Sequence, residues 1–245
     1  MEHALSAAEL LNAWEQARSL ASAEGALSLL ALADPEKTRD QLAQLSIGRR
    51  DAGLLKLREK IFGSRMTGRT NCPACGQPME MNFTVAEVLA VPSPTTDEPF
   101  TANYGAHEIN FRLPNHSDLA ALVPGDDLAM QKRRLIQRCV LKATRDDHPL
   151  GANDLPGELI DAVSERMSEL DPQGDVQLAL SCPQCSHHWQ APLDVASFVW
   201  SEIHAWAIRL LRDVHQLASA YGWREVDILA MSSWRRQAYL EMIEP

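Results

Sequence analysis

The sequence lacks the features that would place it in a membrane or carry it out of the cell. It has no apolar run of about 18 residues, the length that a membrane-spanning helix needs. Its first residues, Met1 to Leu5, do not join a basic region to an apolar stretch, as a secretory signal peptide does. We therefore expect a cytoplasmic protein, in a compartment where cysteine thiols stay reduced.

Enzyme signatures are missing as well. The chain has no glycine-rich phosphate loop, no HExxH metalloprotease motif, no G-x-S-x-G nucleophile elbow and no dinucleotide-binding fingerprint. We therefore expect that the protein is not an enzyme. One enzymatic alternative stays open, a metal-dependent hydrolase with a second, open metal site. Its candidate ligands are His187, His188, His204 and His215.

Basic side chains are scarce in the middle of the chain. The whole sequence carries 23 Lys and Arg against 33 Asp and Glu, a net charge of -10. Residues 71–193 hold 8 of the basic and 17 of the acidic side chains, which is nearly all of the excess. Because nucleic-acid affinity rests mainly on lysine and arginine meeting phosphate, this balance argues against a DNA- or RNA-binding protein.

Glycine is also sparse, at 12 of 245 residues, whereas residues that favour helices are frequent. Apolar residues at spacings of three and four, bounded by start and stop residues such as Asp34 and Gly63, predict nine helices. Within the first of them, Gly25 is a candidate break. The predicted helices are 5–32, 34–45, 51–62, 117–122, 127–144, 157–169, 194–221, 224–231 and 232–243.

Alternation of apolar and polar residues predicts four short strands, at 79–85, 109–113, 176–180 and 187–190. Three prolines predict a loop over 91–105, and a polar connection is expected from Asp146 to Pro156. The expected fold class is α+β, mainly α with a small antiparallel β zinc ribbon.

Three regions follow from this pattern. Residues 1–70 form an N-terminal helical region. Residues 71–193 hold the ribbon, interrupted by a helical insertion at about 114–170. Residues 194–245 form a long C-terminal helix followed by two short ones.

Four of the five cysteines stand in two Cys-Pro-x-Cys knuckles. Two thiolates separated by two residues can reach one ion at about 2.3 Å each. The proline presets the turn, and Gly76 after the first knuckle permits positive φ, whereas Ser186 takes that place in the second. We predict one structural zinc per chain, bound by Cys72, Cys75, Cys182 and Cys185.

The gap between the knuckles is unusual. Residues 76–181, 106 in number, separate them, whereas a compact ribbon has about 15–20. Four thiolates would leave no open position on the metal, which favours a structural role. Three alternatives stay open: a histidine, His187 or His188, replaces one thiolate, the cysteines form a thioredoxin-type redox pair, or the site has lost its metal.

The remaining candidates lie outside the knuckles. Cys139 falls within a predicted helix, which favours a buried core thiol. Aromatic and arginine residues concentrate near the C-terminus, and such residues are frequent at interface hot spots. The predicted partner-binding residues are Tyr221, Trp223, Trp234, Arg235, Arg236 and Tyr239. The alternative is that this segment caps the long helix internally.

Three stretches of the chain together resemble one family. The first is Ile47-Gly48-Arg49-Arg50-Asp51, followed by Leu54 to Arg58 and Phe62-Gly63. The second is Phe111-Arg112-Leu113-Pro114 with Asp118-Leu119, Leu135 and Arg138-Cys139-Val140. The third runs from Glu202 to Leu240 through Val214-His215-Gln216-Leu217-Ala218 and Tyr221-Gly222-Trp223. They resemble the T4-type phage baseplate hub proteins and hub assembly chaperones, with relatives in phage-tail-like contractile injection systems.

The resemblance implies a non-enzymatic role in building or forming a baseplate hub. Its partners would be hub or spike proteins of a contractile tail, with no nucleic acid and no membrane, and the protein could be incorporated in the particle. The cysteine knuckles look like a feature of one branch of the family. A second reading from the residues alone stays open: a zinc-ribbon accessory protein that associates with nucleic acid, which would need a basic face despite the net charge of -10.

Overall fold

The computed structural model describes residues 5–18, 20, 22–34, 36–89, 99–123, 125 and 127–243. The chain divides into two units. One joins Met1–Lys37 with Val195–Pro245, and the other is Thr38–Asp194. Residues 38–70 lie in the same unit as the two knuckles.

The structure contains eleven α-helices, two short 3-10 helices and eight strands within the described residues. The helices are α1 (Ala7–Ala17), α2 (Ser22–Ala33), α3 (Arg39–Ala43), α4 (Ile47–Phe62), α5 (Val85–Val88), α6 (His116–Ala120), α7 (Leu128–Cys139), α8 (Gly157–Leu170), α9 (Val195–Tyr221), α10 (Glu225–Leu229) and α11 (Ser233–Glu241). The strands are β1 (Arg65–Asn71), β2 (Pro78–Thr84), β3 (Phe100–Tyr104), β4 (His107–Phe111), β5 (Val140–Arg145), β6 (His148–Leu150), β7 (Gln177–Ser181) and β8 (His188–Pro192).

In the first unit, the predicted helix 5–32 is two helices. Ser6 caps α1 by accepting from the Glu9 amide at 3.2 Å, and α1 ends at Ala17, ahead of α2. Gly25 is therefore not the break, since it lies inside α2. A Cβ there would lie 2.8 Å from the Trp200 ring, so glycine lets α2 approach α9 closely. A helix start was predicted at Asp34 and Pro35, and Pro35 lies outside the described residues.

The long helix predicted from residue 194 is confirmed as α9. Its buried positions recur at three and four residues: Val195, Ala196, Val199, Ile203, Ala207, Leu210, Val214 and Leu217. Gly222 ends it with a φ of 68°, a left-handed conformation that glycine adopts without strain. The two short helices predicted after it are α10 and α11.

In the second unit, α4 begins one turn earlier than predicted. The Ser46 hydroxyl accepts from the Arg49 amide at 3.3 Å, so the segment expected to be a turn is the first turn of the helix. The Gly48 amide donates to the Asp171 carboxylate at 2.9 Å, and a Cβ on Gly48 would lie 1.9 Å from that carboxylate. This contact ties the start of α4 to the segment that precedes β7.

Between the two hairpins that carry the knuckles lies an insertion with a sheet of its own. The antiparallel order is β3-β4-β5-β6. The sheet and helices α7 and α8 share one hydrophobic core: Ile109, Phe111, Ile136, Cys139, Ala143, Leu155, Leu159, Ile160, Val163 and Met167. The insertion is therefore mixed α and β, not only helical.

Three of the sequence predictions for the insertion are wrong. Strand β3 lies where a loop was predicted over 91–105, of which residues 91–98 fall outside the described residues. Strand β5 replaces the end of the helix predicted over 127–144, because residues from Val140 onward pair with β4. Strand β6 lies in the predicted polar connection and pairs with β5. Pairing with another strand overrides local propensity at each place, with the neighbouring strand of a hairpin for β3 and β6 and with the more distant β4 for β5.

The two knuckle hairpins are separate two-stranded sheets, β1-β2 and β7-β8, both antiparallel. Strands β2, β7 and β8 confirm the predictions within one to three residues. Strand β1 was not predicted, because Met66 is its only large apolar residue and no alternation marks it. The predicted class, mainly α with a small interrupted ribbon, is confirmed.

Candidate metal centre

The first knuckle closes the β1-β2 hairpin. The Cys72 amide donates to the Gln77 carbonyl at 2.9 Å, and the Gly76 amide donates to the Cys72 carbonyl at 2.8 Å. Gly76 has a φ of 73°, which lets the chain leave the turn toward β2. The two bonds hold the Cys72-to-Cys75 segment in a tight turn.

The second knuckle repeats this geometry 110 residues later. The Cys182 amide donates to the His187 carbonyl at 2.9 Å, and the Ser186 amide donates to the Cys182 carbonyl at 2.9 Å. Ser186 has a φ of 58°, an uncommon conformation for a residue other than glycine. The backbone turn therefore forms without the glycine that the first knuckle has.

The four sulfurs of the two knuckles meet in one cluster. All lie within 4.8 Å of one another. The Sγ atoms of Cys72 and Cys185 are 3.7 Å apart, as are those of Cys75 and Cys182. Four sulfurs placed at about 2.3 Å from a tetrahedral zinc would be about 3.8 Å apart, so the cluster fits such an ion. Both contacts join one knuckle to the other.

Burial divides the four cysteines into two kinds. Cys72 and Cys182, the first of each knuckle, are buried, whereas Cys75 and Cys185 are exposed. Each knuckle therefore contributes one buried and one exposed sulfur to the cluster.

The electrostatics of the metal-free cluster favour one thiolate. Burial of the Cys182 sulfur opposes its ionisation, but hydrogen bonds from the backbone N–H groups of Cys185 and Gln184 lower its pKa to about 7. A backbone hydrogen bond at His187 favours the Cys185 thiolate, but sharing with Cys75 and burial raise the pKa of Cys185 to about 12. Binding of a cation to all four sulfurs would therefore release protons.

The histidines named as alternative ligands lie elsewhere. In the part of the chain that the structure describes, the four cysteines are the single cluster of three or more His, Cys, Asp or Glu side chains able to hold a metal. The His187 ring stacks on Trp189 with centroids 5.8 Å apart. His204 accepts a hydrogen bond from Trp14 Nε1 at 3.2 Å. His188 and His215 are exposed and belong to no such cluster.

Cys139 lies in the core of the insertion and is fully buried. Burial raises the pKa of its thiol to about 12, and the Asp118 carboxylate, 3.9 Å from the sulfur, acts in the same direction. A thiol that stays protonated and inaccessible is unreactive. This position agrees with the predicted core role.

The predicted partner-binding residues fall into two groups. The rings of Tyr221, Trp223 and Tyr239 pack on one another, with centroids 4.4 Å apart for the first two and 4.8 Å for the last two. Trp223 and Tyr239 also pack on the small core between α9 and α11, as the capping alternative requires. Trp234, 78% exposed, and its neighbour Arg235 lie on the surface.

Arg236 does not belong on that surface. It is 6% exposed, and its Nη1 donates to the Met231 carbonyl at 2.7 Å. Burial lowers the pKa of its guanidinium, and the nearby Asp213 opposes that effect. The adjacent arginines were indistinguishable in the sequence, because only packing of α11 decides which of them faces inward.

Comparison with known proteins places these features in a family. The family model described as T4 bacteriophage base plate protein matches residues 27–200. That span is well over half of the chain and contains both knuckles and the whole insertion. The chain belongs to the T4 bacteriophage base plate protein family. Searches of curated proteins and of solved structures each found no match.

Membership in this family confirms the part of the resemblance that concerns T4-type base plate proteins, and it implies association with other base plate proteins. The matched span includes the stretches from Ile47 and from Phe111, whereas the stretch from Glu202 lies beyond it. Among the described residues, no helix combines the length and hydrophobicity that crossing a bilayer takes.

Proposed function

We propose that this base plate protein is a non-enzymatic structural or assembly component of the hub, where it contacts hub or spike proteins of a contractile tail. The observation that carries the proposal is the family match over residues 27–200. A chaperone-like role in assembly is included, as is a place in a contractile injection system. In either role the protein acts by binding other proteins.

Zinc is the metal that we propose for the four-cysteine cluster. Tetrahedral sites of four thiolates suit zinc or iron, and zinc adds no redox chemistry to a structural site. The sulfur spacing of 3.7 Å across the knuckles supports the assignment. The ion would join two hairpins that lie far apart in sequence, so its binding would contribute directly to folding of the ribbon.

Affinity purification of the tagged protein, from cells that produce the contractile tail, tests the hub role by showing which tail components bind to it. We expect hub or spike proteins among the bound components. Particles purified afterwards distinguish the two forms of the role, since a structural component remains in them and a chaperone does not. Recovery of enzymes or of nucleic acid in place of any tail protein would contradict the proposal. Binding of duplex DNA at low salt that weakens as salt rises would favour the nucleic-acid alternative.

The exposed pair Trp234 and Arg235 is the proposed contact with the partner. An exposed tryptophan beside an exposed arginine has the composition of an interface hot spot. We expect Trp234→Ala to weaken binding to the captured tail protein by about 2 kcal/mol, roughly thirtyfold in Kd. Gln237→Ala, at an exposed site on the same helix, is the matched control. Equal affinities for the two variants, measured by calorimetry, would remove Trp234 from the interface.

A further inference from the structure

Each exposed sulfur of the cluster lies against a buried sulfur of the other knuckle. Cys75 is exposed, and its Sγ is 3.7 Å from the Sγ of the buried Cys182. Cys185 is exposed, and its Sγ is 3.7 Å from the Sγ of the buried Cys72. Each exposed sulfur therefore lies within hydrogen-bond distance of a buried sulfur of the other knuckle.

We propose that the cluster is also a reversible oxidation site, at which hydrogen peroxide converts the metal-free thiols into two disulfides between the knuckles, Cys72–Cys185 and Cys75–Cys182. This reaction gives the ribbon a second way to stay closed when no metal holds it. The inference rests on the geometry of the four sulfurs and requires neither the hub role nor the identity of the metal.

The reaction has two steps in each pair. One sulfur of the pair, as its thiolate, attacks the O–O bond of peroxide, which gives a sulfenic acid and hydroxide. The thiolate of its partner in the other knuckle then attacks the sulfenic sulfur, so that the S–S bond forms and a second hydroxide leaves. The two sulfurs lose two electrons in total, and these reduce one peroxide to two hydroxides, which take up protons to become water. Two disulfides consume two molecules of peroxide.

Geometry favours pairing between knuckles over pairing within one. A disulfide needs about 2.05 Å between its sulfurs, so each pair must close from 3.7 Å. Between knuckles, the two hairpins can approach as separate two-stranded sheets. Within a knuckle, the two sulfurs lie within 4.8 Å of each other, and the backbone bonds at Cys72 and Cys182 hold the turn that separates them.

The disulfides would be useful to a base plate protein that passes from a reducing to an oxidising environment. Thiols stay reduced in the cytoplasm, where we expect this protein, and disulfides persist outside it. A copy that remains in a released particle therefore loses the reducing environment in which its thiolates would hold a metal. A covalent link between the knuckles would keep the ribbon closed under those conditions.

Two double variants test the pairing with matched chemistry. Cys75→Ser with Cys182→Ser leaves one pair between the knuckles, Cys72 and Cys185. Cys72→Ser with Cys75→Ser leaves the pair within the second knuckle, Cys182 and Cys185. Both variants keep two knuckle thiols, and both lose the four-sulfur set. After addition of peroxide, we expect the first variant to form its disulfide at least tenfold faster by non-reducing peptide mass spectrometry; equal rates, or a faster second variant, would overturn the proposal.

The full-length wild type supplies a second measurement that does not depend on the variants folding. After removal of metal with a chelator and treatment with peroxide, we expect peptides that join Cys72 to Cys185 and Cys75 to Cys182, with Cys139 unmodified. Reduction should restore all thiols. Disulfides within each knuckle, or sulfinic acids without any link, would overturn the proposal. The metal content of the untreated sample tests the zinc assignment by itself. The disulfides found after peroxide treatment test the oxidation proposal, so the two can fail independently.

Discussion

Asp118 is the residue on which the buried polar contacts of the insertion converge. Its side chain is fully buried and accepts from Arg112 Nη2 at 2.9 Å and from Arg138 Nε at 3.2 Å. It also accepts from the Asn115 amide at 3.0 Å, which completes the capping box of α6, whose N-cap is Asn115. Burial opposes its ionisation, but the Arg112 guanidinium and the Asn115 amide outweigh that effect and hold the pKa of Asp118 below its usual value. The carboxylate therefore stabilises the fold in its charged form.

This contact makes stability depend on pH in a definite direction. Because the pKa of Asp118 is lower in the folded protein, its contribution is present above the unfolded value of about 3.9 and is lost as the pH falls through the folded value. The wild-type protein should have a higher unfolding free energy at pH 7 than at pH 3, as measured by urea titration. We expect this difference to be much smaller in Asp118→Asn. Asp227→Asn removes the exposed pair with Arg224 and should leave that difference nearly unchanged. The same change in both variants would contradict the assignment.

Gly48 is a second residue at which the structure leaves little freedom. An added Cβ would lie 1.9 Å from the Asp171 carboxylate, which also accepts from the Gly48 amide. We expect Gly48→Ala to lower the unfolding free energy by about 1–3 kcal/mol, because the carboxylate must move and the bond is lost. Gly157→Ala is the control, since nothing lies within 4 Å of its added Cβ at the start of α8. Denaturant titrations that give equal losses would show that the contact is not required.

At the scale of elements, the sequence predicts those whose pattern is carried by their own residues. The stripe of α9, the alternation of β2 and the knuckle flanks β7 and β8 all belong to this group. Strands β1, β3, β5 and β6 do not, because each is defined by a partner strand. The segment from Val140 shows the reason: its residues suit a helix locally, yet they pair with β4 at Phe111.

The division between hairpins and insertion gives a prediction about metal removal. The insertion has a core of its own, from Ile109 to Met167, whereas each knuckle hairpin is a two-stranded sheet that is marginal without support. With a chelator, we expect amides of β1, β2, β7 and β8 to exchange at least tenfold faster, while those of β4 and α8 stay protected. Hydrogen exchange followed by mass spectrometry measures both at once. Loss of protection in the insertion as well would mean that the metal supports the whole second unit.

At the scale of the whole molecule, the candidate site was predictable in its residues and not in its geometry. The spacing of Cys72 and Cys75, repeated at Cys182 and Cys185, is a local signal that needs no structure. That the first cysteine of one knuckle contacts the second of the other depends on how the chain folds across 106 residues, which spacing cannot show. The inward direction of Arg236 was hidden for the same reason.

The span that the family model matches can be compared with the two units of the chain. The match over residues 27–200 covers all of Thr38–Asp194 and only part of the other unit. The knuckles lie within that second unit, on either side of the insertion. A metal there would connect the segment before the insertion to the segment after it, both inside the span that the family model matches.

X-ray absorption at the metal edge, combined with elemental analysis of the purified full-length protein, tests the central claim most directly. We expect one zinc per chain, with four sulfur neighbours at about 2.3 Å and no nitrogen or oxygen neighbour. Cys72→Ser should reduce zinc retention, and Cys139→Ser should leave it unchanged. A protein that holds no metal while its four knuckle thiols react freely, or a metal with histidine among its neighbours, would contradict the account.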